Sequence, residues 1–339
     1  MAEPTAMARE TGEIPAAAER LLARTDVFTT IVDRIERAGP RIVVFCGRGS
    51  SGHVGVYLRY LFETRLGLLA SAAAPSVVTA YQRPPDLRGA LFVVVSQSGR
   101  SPDLVNATAV ARKLGALTLA ITNDQDSPAA AAAELVLPVG AGTERSIAAT
   151  KTVVLSMLAG AQLVAIMARD DELTLGIKQM PRRLSSALAC DWSPWAENVA
   201  GAKAAFVVGR GYGLGSVREI ALKVAEVLRI PTLGYSAAEL RHGPRASVTR
   251  TTPVLVLRQN DEAAATIDEL VGDLTEAGEK LFVAGGSTGT LLPWIGDGHP
   301  VCDPVVMLLP AYRAIETAAR RQGLDPDNPP YLSKVTRTL

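Results

Sequence analysis

Two stretches of the chain repeat one pattern, in which an apolar run ends in the triplet Gly-Arg-Gly and leads into a helical segment. The first copy is Val43-Val44-Phe45-Cys46-Gly47-Arg48-Gly49, and the second is Ala204-Ala205-Phe206-Val207-Val208-Gly209-Arg210-Gly211. A repeat this far apart indicates two duplicated domains rather than a solenoid array of short repeats. Around each copy, strand patterns alternate with helical patterns, which predicts an α/β fold with parallel sheets wound on both faces.

The patterns also predict where the elements and domains lie. In the first half, strands are expected at 41–46, 76–81, 90–95, 117–122 and 134–138, and helices at 7–38, 53–65 and 146–169. In the second half, strands are expected at 204–208, 253–257, 280–284 and 300–302, and helices at 214–229, 261–277 and 305–322. The predicted domains are a helical arm (1–38), a first domain (39–185), a linker (186–200), a second domain (201–325) and a tail (326–339).

The composition excludes several classes of partner. The 339 residues include 35 basic and 34 acidic side chains, so no charge excess favours nucleic acid or an anionic membrane. Cys46, Cys190 and Cys302 are far apart, which indicates neither a disulfide framework nor a zinc site. The N-terminus lacks a secretion signal pattern, and the uncharged run 152–168 is better explained as a buried helix than as a membrane span. We therefore expect a cytoplasmic protein with a small substrate and no metal.

The most polar loop predicted at a strand end is Ser96-Gln97-Ser98-Gly99-Arg100-Ser101, which follows Val93-Val94-Val95 and precedes a helix that opens with Pro102 and Asp103. Its backbone N–H groups, its hydroxyls and the positive end of the helix would converge on one point and could bind an anion. No Lys follows the glycine as in a Walker loop, so a phosphomonoester fits better than a nucleoside triphosphate. An ordinary polar turn explains the loop equally well.

A dinucleotide site is a second interpretation of the first Gly-rich loop. Gly47-x-Gly49-x-x-Gly52 matches the dinucleotide-binding fingerprint and follows a strand, but that fingerprint also needs an acidic residue at the end of the second strand. The predicted second strand ends in Tyr81-Gln82-Arg83 and offers none. The pattern therefore favours phosphate or sugar binding over NAD or FAD.

The second half contains the densest group of ionisable residues. Glu219, Lys223 and Glu226 have the i, i+4, i+7 spacing of one helix face among apolar residues, and burial of such charges is costly unless they are paired or used. A surface salt-bridge ladder is the alternative. His242, before a Gly-Pro turn, is a candidate acid or base, and Lys334, in a proline-rich tail, is a candidate amine nucleophile. Simple packing or a solvated tail would explain these two residues without chemistry.

Six motifs in this order resemble the tandem SIS (sugar isomerase) family over nearly the whole chain. They are Gly47–His53, Ser96–Ser101, Ala141–Glu144 with Ala149–Lys151, Glu219–Glu226, Glu239–Pro244 and Lys334–Thr336. The resemblance implies two SIS domains, each a flavodoxin-like three-layer α/β/α sandwich. Within the family, the chain resembles the isomerase half of glucosamine-6-phosphate synthases and the stand-alone SIS-type glucosamine-6-phosphate deaminases. Residue 2 is Ala, so the synthases' glutaminase domain with its early cysteine is not expected.

The resemblance also implies roles for individual residues. The sugar phosphate would be held by a group of residues from the first domain: Ser50, Ser51, Ser96, Gln97, Ser98, Ser101, Ile147 and Ala148. His242, supplied by the partner in a homodimer, would open the sugar ring. Glu226 would move a proton between C1 and C2 with the support of Glu219 and Lys223, and Lys334 would lie at the carbonyl end. No cofactor is implied.

These expectations define one leading function and two alternatives. The leading function is conversion of D-glucosamine 6-phosphate and water into D-fructose 6-phosphate and ammonia. The first alternative keeps the site but changes the substrate to galactosamine 6-phosphate or a fructosamine 6-phosphate. The second is a module that binds a sugar phosphate without turnover; such modules need not keep Glu226, His242 and Lys334.

Overall fold

Two parallel sheets organise the chain, and the computed structural model describes it over residues 3–296 and 298–334. The described residues divide into two compact units. The first unit comprises Ala16–Glu144, Lys151–Lys178 and the described part of Leu332–Leu339. The second unit comprises the described part of Met1–Pro15, Arg145–Thr150 and the described part of Gln179–Tyr331. The units thus divide the chain at different residues from the predicted domain boundaries, and the predicted linker contains a helix.

The strands of the two sheets are β1 (Ile42–Cys46), β2 (Leu69–Ala72), β3 (Ala90–Ser96), β4 (Leu117–Thr122), β5 (Leu135–Pro138), β6 (Ala205–Gly209), β7 (Thr232–Ser236), β8 (Val254–Leu257), β9 (Leu281–Ala284) and β10 (Thr290–Leu292). The α-helices are α1 (Ala6–Gly12), α2 (Ile14–Leu22), α3 (Thr25–Ala38), α4 (Gly49–Leu66), α5 (Pro75–Thr79), α6 (Pro102–Lys113), α7 (Pro128–Ala132), α8 (Lys151–Ala168), α9 (Asp171–Lys178), α10 (Met180–Ala187), α11 (Ser193–Ala200), α12 (Gly213–Lys223), α13 (Ala237–Arg241), α14 (Ala264–Glu276), α15 (Asp303–Val306) and α16 (Leu308–Arg321). A π-helical turn (Val224–Leu228) follows α12, and a 3₁₀ turn (Pro244–Ser247) follows α13.

Both sheets have the same strand order. The first is β2-β1-β3-β4-β5 and the second is β7-β6-β8-β9-β10, and all pairs are parallel. This is the flavodoxin-like order 2-1-3-4-5. Its switch point is the place between two central strands where the strand order reverses direction across the sheet, and ligands bind there, outside the carboxyl ends of the strands. The switch points are therefore between β1 and β3 and between β6 and β8. The predicted tandem α/β fold is confirmed.

Continuous burial explains why these segments form central strands. Every residue of β3 and β4 is buried, as expected for parallel strands covered by helices on both faces. In the first unit, Phe92 and Val94 pack with Leu104 and Ala107 of α6. In the second unit, Val254 and Val256 pack with Ile267 and Leu270 of α14. Each unit thus buries its own apolar strand faces against its own helices.

Two strand predictions are wrong. Residues 76–81 are not a strand, because Pro75 begins α5 and the second strand is the exposed edge strand Leu69–Ala72. Residues 300–302 are a turn before α15, and the last strand is Thr290–Leu292. The chain after the actual β2 also lacks an acidic residue until Asp86, so the argument against a dinucleotide site is unchanged.

The helix α8 has the length and apolar composition of a membrane span, but most of it is buried in the folded chain. Fourteen of its residues are buried, including the charged Lys151. A buried helix of this kind is the core helix of an α/β unit, as the sequence indicated.

Candidate active site

The serine loop, Ser96–Ser101, lies at the switch point of the first sheet, between the end of β3 and the start of α6. Ser96 is buried, and its Oγ accepts the Gly99 N–H at 3.1 Å. The side chains of Gln97, Ser98 and Ser101 are partly exposed, and Ser101 is the N-cap residue of α6. The loop therefore presents hydroxyls beside the positive end of a 12-residue helix, which is a favourable place for an anion.

Gly99 fixes the shape of this loop. Its φ is +63°, and a Cβ atom there would lie 2.0 Å from Ser127 Oγ. The Gly99 carbonyl accepts the Ala129 N–H at 2.9 Å, which ties the loop to the start of α7. Only glycine combines that backbone angle with so close an approach.

The neighbouring loop at the same switch point carries Ser50 and Ser51 in the first turn of α4, both partly exposed. Arg48, just before them, donates from Nε to Oδ2 of the buried Asp103 at 3.0 Å. Asp103 Oδ1 also accepts the Leu104 N–H at 2.9 Å. This ion pair joins the residue before α4 to the first turn of α6, so the helix start with Ser50 and Ser51 and the serine loop lie at the same edge of the first sheet.

Lys334 lies in the same unit and forms an ion pair at 3.3 Å with Glu144, whose side chain is fully buried. Glu144 also accepts bonds from the Thr152 N–H at 3.0 Å and from its hydroxyl at 2.7 Å. Lys334 itself is 26% exposed. The predicted nucleophile is therefore held by a buried carboxylate rather than being a solvated tail residue.

The three charges of the second unit form one cluster. Lys223 Nζ lies 3.5 Å from Glu219 Oε1 and bonds to Glu226 Oε2. Glu219 and Lys223 are buried, at 0% and 1% exposure, whereas Glu226 is 21% exposed. The predicted helix face of Glu219, Lys223 and Glu226 is thus a mostly buried group of one lysine between two carboxylates, and Glu226 is its accessible end.

The backbone changes where this cluster reaches the surface. The helix α12 ends at Lys223, and Glu226 lies on the π-helical turn that follows. Such turns are rare and often occur at functional sites, because the wider turn re-aims side chains. The single α-helix predicted for 214–229 is therefore wrong over its last turn.

Opposed effects act on the pKa of Lys223. Burial alone lowers it, but the charges of Glu219 and Glu226 and the hydrogen bonds to them outweigh burial, so the pKa is raised. Lys223 therefore stays protonated at neutral pH, and the cluster has a net charge of −1 when both carboxylates are ionised. At its buried end, Tyr312 Oη donates to Glu219 Oε1 at 3.2 Å.

The remaining predicted residues are also in the second unit. His242 is exposed and caps the C-terminus of α13. Ile147 is half-buried and Ala148 is buried, and they belong to the segment Arg145–Thr150, which is part of the second unit. The Ile147 N–H is already used, because it donates to the Asp327 carbonyl at 3.1 Å.

Over residues 3–296 and 298–334, no group of three or more His, Cys, Asp or Glu side chains is arranged to hold a metal ion. The site chemistry described above consists of hydroxyls, carboxylates and amines. These groups can bind a phosphate and move protons.

Sequence reasoning missed three contacts. Asp103 and Glu144 were noticed only as members of motifs, and nothing indicated that they pair with Arg48 and Lys334. Tyr312 lies on α16, whose other buried residues are mostly apolar, and the sequence pattern did not single it out. The one available signal was the Tyr312 hydroxyl among the apolar residues of that helix face, because a buried polar group needs a hydrogen-bond partner.

Two sheets of the same strand order define a tandem doubly wound α/β protein. The first has hydroxyl-rich loops at its switch point, and the unit of the second contains a buried charge cluster. The SIS domain model matches residues 37–166 and 199–284, and the chain belongs to the SIS domain family.

Among curated proteins, the chain is similar to isomerizing glutamine–fructose-6-phosphate aminotransferases. It is 30% identical to that of Methanothermobacter thermautotrophicus over 97% of this chain and 56% of the relative. It is 31% identical to that of Symbiobacterium thermophilum over 97% of this chain and 58% of the relative. The chain thus spans little more than half the length of these relatives.

Among solved structures, a protein of Silicibacter pomeroyi DSS-3 that is provisionally named a phosphosugar isomerase has a TM-score of 0.91 and 36% identity, covering 96% of this chain and 100% of that one. A glucosamine-6-phosphate deaminase from Thermotoga maritima has a TM-score of 0.80 at 22% identity, covering 98% of this chain and 100% of that one. The second likeness concerns the fold.

Proposed function

We propose that the protein is an isomerising deaminase that converts D-glucosamine 6-phosphate and water into D-fructose 6-phosphate and ammonia. The observation that carries this proposal is the buried cluster of Glu219, Lys223 and Glu226, whose one accessible end is a carboxylate. Moving a proton between adjacent carbons needs a base that can reach both, and a partly exposed carboxylate held by a buried lysine suits that task.

The serine loop supports a phosphorylated substrate. Ser50, Ser51, Ser98 and Ser101 offer partly exposed hydroxyls next to two helix starts, and in our proposal they bind the 6-phosphate with Gln97. Ser96 contributes by holding Gly99 in place. This binding fixes the unreactive end of the sugar and contributes mainly to affinity.

The proposed reaction begins with ring opening by His242, which a homodimeric partner supplies. Glu226 then removes the C2 proton of the open-chain amino aldose and returns a proton to C1, which leaves an imine at C2. Water adds to that imine, and ammonia leaves as the C2 ketone forms. Lys334 acts at the carbonyl end; its ammonium must leave Glu144 and lose a proton before it can attack carbon.

The relatives support this choice of substrate class. The name of the aminotransferases refers to fructose 6-phosphate, to an amino group and to isomerisation. The proposed reaction uses the same sugar phosphate and the same proton shift. A cytoplasmic location fits this metabolic role and stays a prediction.

The test is to incubate the purified protein with D-glucosamine 6-phosphate and to measure ammonia and fructose 6-phosphate in parallel. We expect equal amounts of both products from the wild type, and a kcat about a thousandfold lower from the Glu226→Gln variant. Ammonia release that is equal in the wild type and the variant, or absent from both, would refute the proposal. Galactosamine 6-phosphate and a fructosamine 6-phosphate are the comparison substrates, and a higher kcat/KM for either would reassign the substrate.

A further inference from the structure

We propose that Tyr312 is a positioning residue for proton transfer, acting on Glu226 through Glu219 and Lys223. The inference rests on the proposed function, because it takes Glu226 to be the group that moves the proton. Tyr312 binds the buried end of the cluster, where its hydroxyl donates to Glu219 Oε1 at 3.2 Å.

The place of Tyr312 in the fold supports a specific role for its hydroxyl. The residue is fully buried on α16, which packs against α12 and the π-helical turn. Its helix neighbours Leu309, Ala311 and Ile315 are fully buried and apolar. Phenylalanine would fill the same space without the cost of burying a hydroxyl, so the hydroxyl is explained by the bond that it makes.

The geometry around Glu219 shows what this bond does. Glu219 Oε1 accepts from Tyr312 and also lies 3.5 Å from Lys223 Nζ, a longer contact than the one that Lys223 makes with Glu226. Tyr312 thus satisfies part of the hydrogen-bonding demand of the Glu219 carboxylate. Because of that, the Lys223 ammonium stays directed at Glu226.

Removal of the Tyr312 hydroxyl should change the bonds that Glu219 and Lys223 make. Without it, Glu219 is a buried carboxylate that lacks one donor, and the attraction between Glu219 and Lys223 draws the ammonium away from Glu226. Glu226 then loses the partner that holds its carboxylate in position. Since the phosphate-binding hydroxyls lie in the first unit, substrate affinity should not change.

The experiment is a double-mutant cycle on the full chain with Tyr312→Phe and Glu219→Gln. We expect Tyr312→Phe alone to lower kcat about tenfold, with KM within a factor of two of the wild type. In the Glu219→Gln background, the same change should lower kcat by less than a factor of two, because Tyr312 acts through that carboxylate. Equal tenfold losses in both backgrounds, or an unchanged kcat in Tyr312→Phe, would overturn the inference.

Tyr57→Phe is the matched control, because Tyr57 is also fully buried but lies on α4 in the first unit. It should leave kcat and KM unchanged even if it lowers the melting temperature. If Tyr312→Phe does not fold, incorporation of 3-fluorotyrosine at position 312 keeps the ring and the hydroxyl, adds one small fluorine atom and makes the hydroxyl a stronger donor. It should change kcat at least twofold in the wild-type background and not in Glu219→Gln; no change in either would overturn the inference.

The failure of this inference can be separated from the failure of the proposed function. If the wild type does not isomerise or deaminate any amino sugar phosphate, the proposed function fails before the cycle begins. If Glu226→Gln loses activity as expected but the cycle is additive, the function stands and the role of Tyr312 is refuted.

Discussion

At the switch point of the first sheet, between β1 and β3, the loops carry partly exposed hydroxyls, whereas the loops at the corresponding place in the second sheet bond to each other. There, between β6 and β8, the buried Gln259 donates from Nε2 to the Arg210 carbonyl at 2.8 Å and to Asp261 at 2.9 Å. The loops of the first switch point are also joined, through Arg48 and Asp103, but they leave several hydroxyls partly exposed, whereas Gln259 of the second switch point is fully buried.

This difference shows that a repeated strand order does not repeat a binding site. The Gly-Arg-Gly triplet occurs in both units, but only in the first is it followed directly by serines, Ser50 and Ser51; the first serine after the second triplet is Ser216, which is buried. In the second unit the buried charge cluster is instead on α12 and the π-helical turn. The topology supplies a crevice in each unit, and the side chains decide whether it binds a ligand.

The largest expected effect is on kcat when Glu226 of the second unit is replaced, and it tests whether the two units bind and react with the substrate separately. Replacing Glu226 with Gln keeps the size of the side chain but removes the base, so kcat should fall about a thousandfold while KM changes little. Steady-state kinetics with glucosamine 6-phosphate measure both values. A Glu226→Gln variant whose KM rises while its kcat is kept would place phosphate or sugar binding, rather than proton transfer, at this residue.

The second prediction concerns Cys46, which ends β1 beneath the first switch point. Burial first, and then the charge of Asp103, raise the pKa of Cys46 to about 12, although Arg48 opposes this. The thiolate is the reactive form, so a raised pKa leaves Cys46 almost entirely as the unreactive thiol at pH 8. Burial also raises the pKa of Cys302 to about 12, while Cys190 is only half-buried.

Disulfide-exchange labelling at pH 8 measures this directly. We expect at most one fast-reacting thiol, Cys190, in the native protein and three after denaturation. Cys46 should react at least a hundredfold more slowly than Cys190. Fast labelling of Cys46 would mean that solvent reaches beneath the serine loop and that the exposed groups at this switch point are not limited to the loop hydroxyls.

The features of the fold and the site that could be predicted from the sequence are those formed by residues close together in the chain. The apolar run that became β3 and the spacing of Glu219, Lys223 and Glu226 are local patterns, and both appear in the structure. The strand β7 was missed because Gly234 interrupts its pattern; there the Arg218 Cα would lie 2.9 Å from an added Cβ. The bonds from Arg48 to Asp103, from Lys334 to Glu144 and from Tyr312 to Glu219 join distant parts of the sequence, and no single-chain periodicity encodes them.

The third prediction compares one glycine from each switch point. Gly99 and Gly211 have similar backbone angles, φ +63° and +59°, so alanine would be strained at both. At Gly99 the new Cβ would also lie 2.0 Å from Ser127 Oγ, whereas the nearest atoms at Gly211 are 3.7 Å away. Gly99→Ala should therefore lower the free energy of unfolding by about 3 kcal/mol and Gly211→Ala by about 1 kcal/mol.

Urea unfolding followed by circular dichroism gives both free energies. Equal losses would show that Ser127 can move aside without cost, and the serine loop would then be no more rigidly built than the loop of the second unit. A larger loss at Gly211 would reverse the comparison.

The smallest expected effect is a change in KM, and it compares the two switch points by removing one polar side chain from each. Ser98→Ala removes a partly exposed hydroxyl that we assign to the phosphate, so KM should rise about tenfold with kcat within a factor of two. Gln259→Ala removes a buried amide that joins two loops, so it should lower the melting temperature and leave KM unchanged. Both substitutions delete a polar group just after the corresponding strand, β3 or β8, so they compare the use of the two switch points at the same topological position. If Gln259→Ala raised KM as much as Ser98→Ala does, the second switch point would also take part in substrate binding, and its loops would no longer differ in function from those of the first.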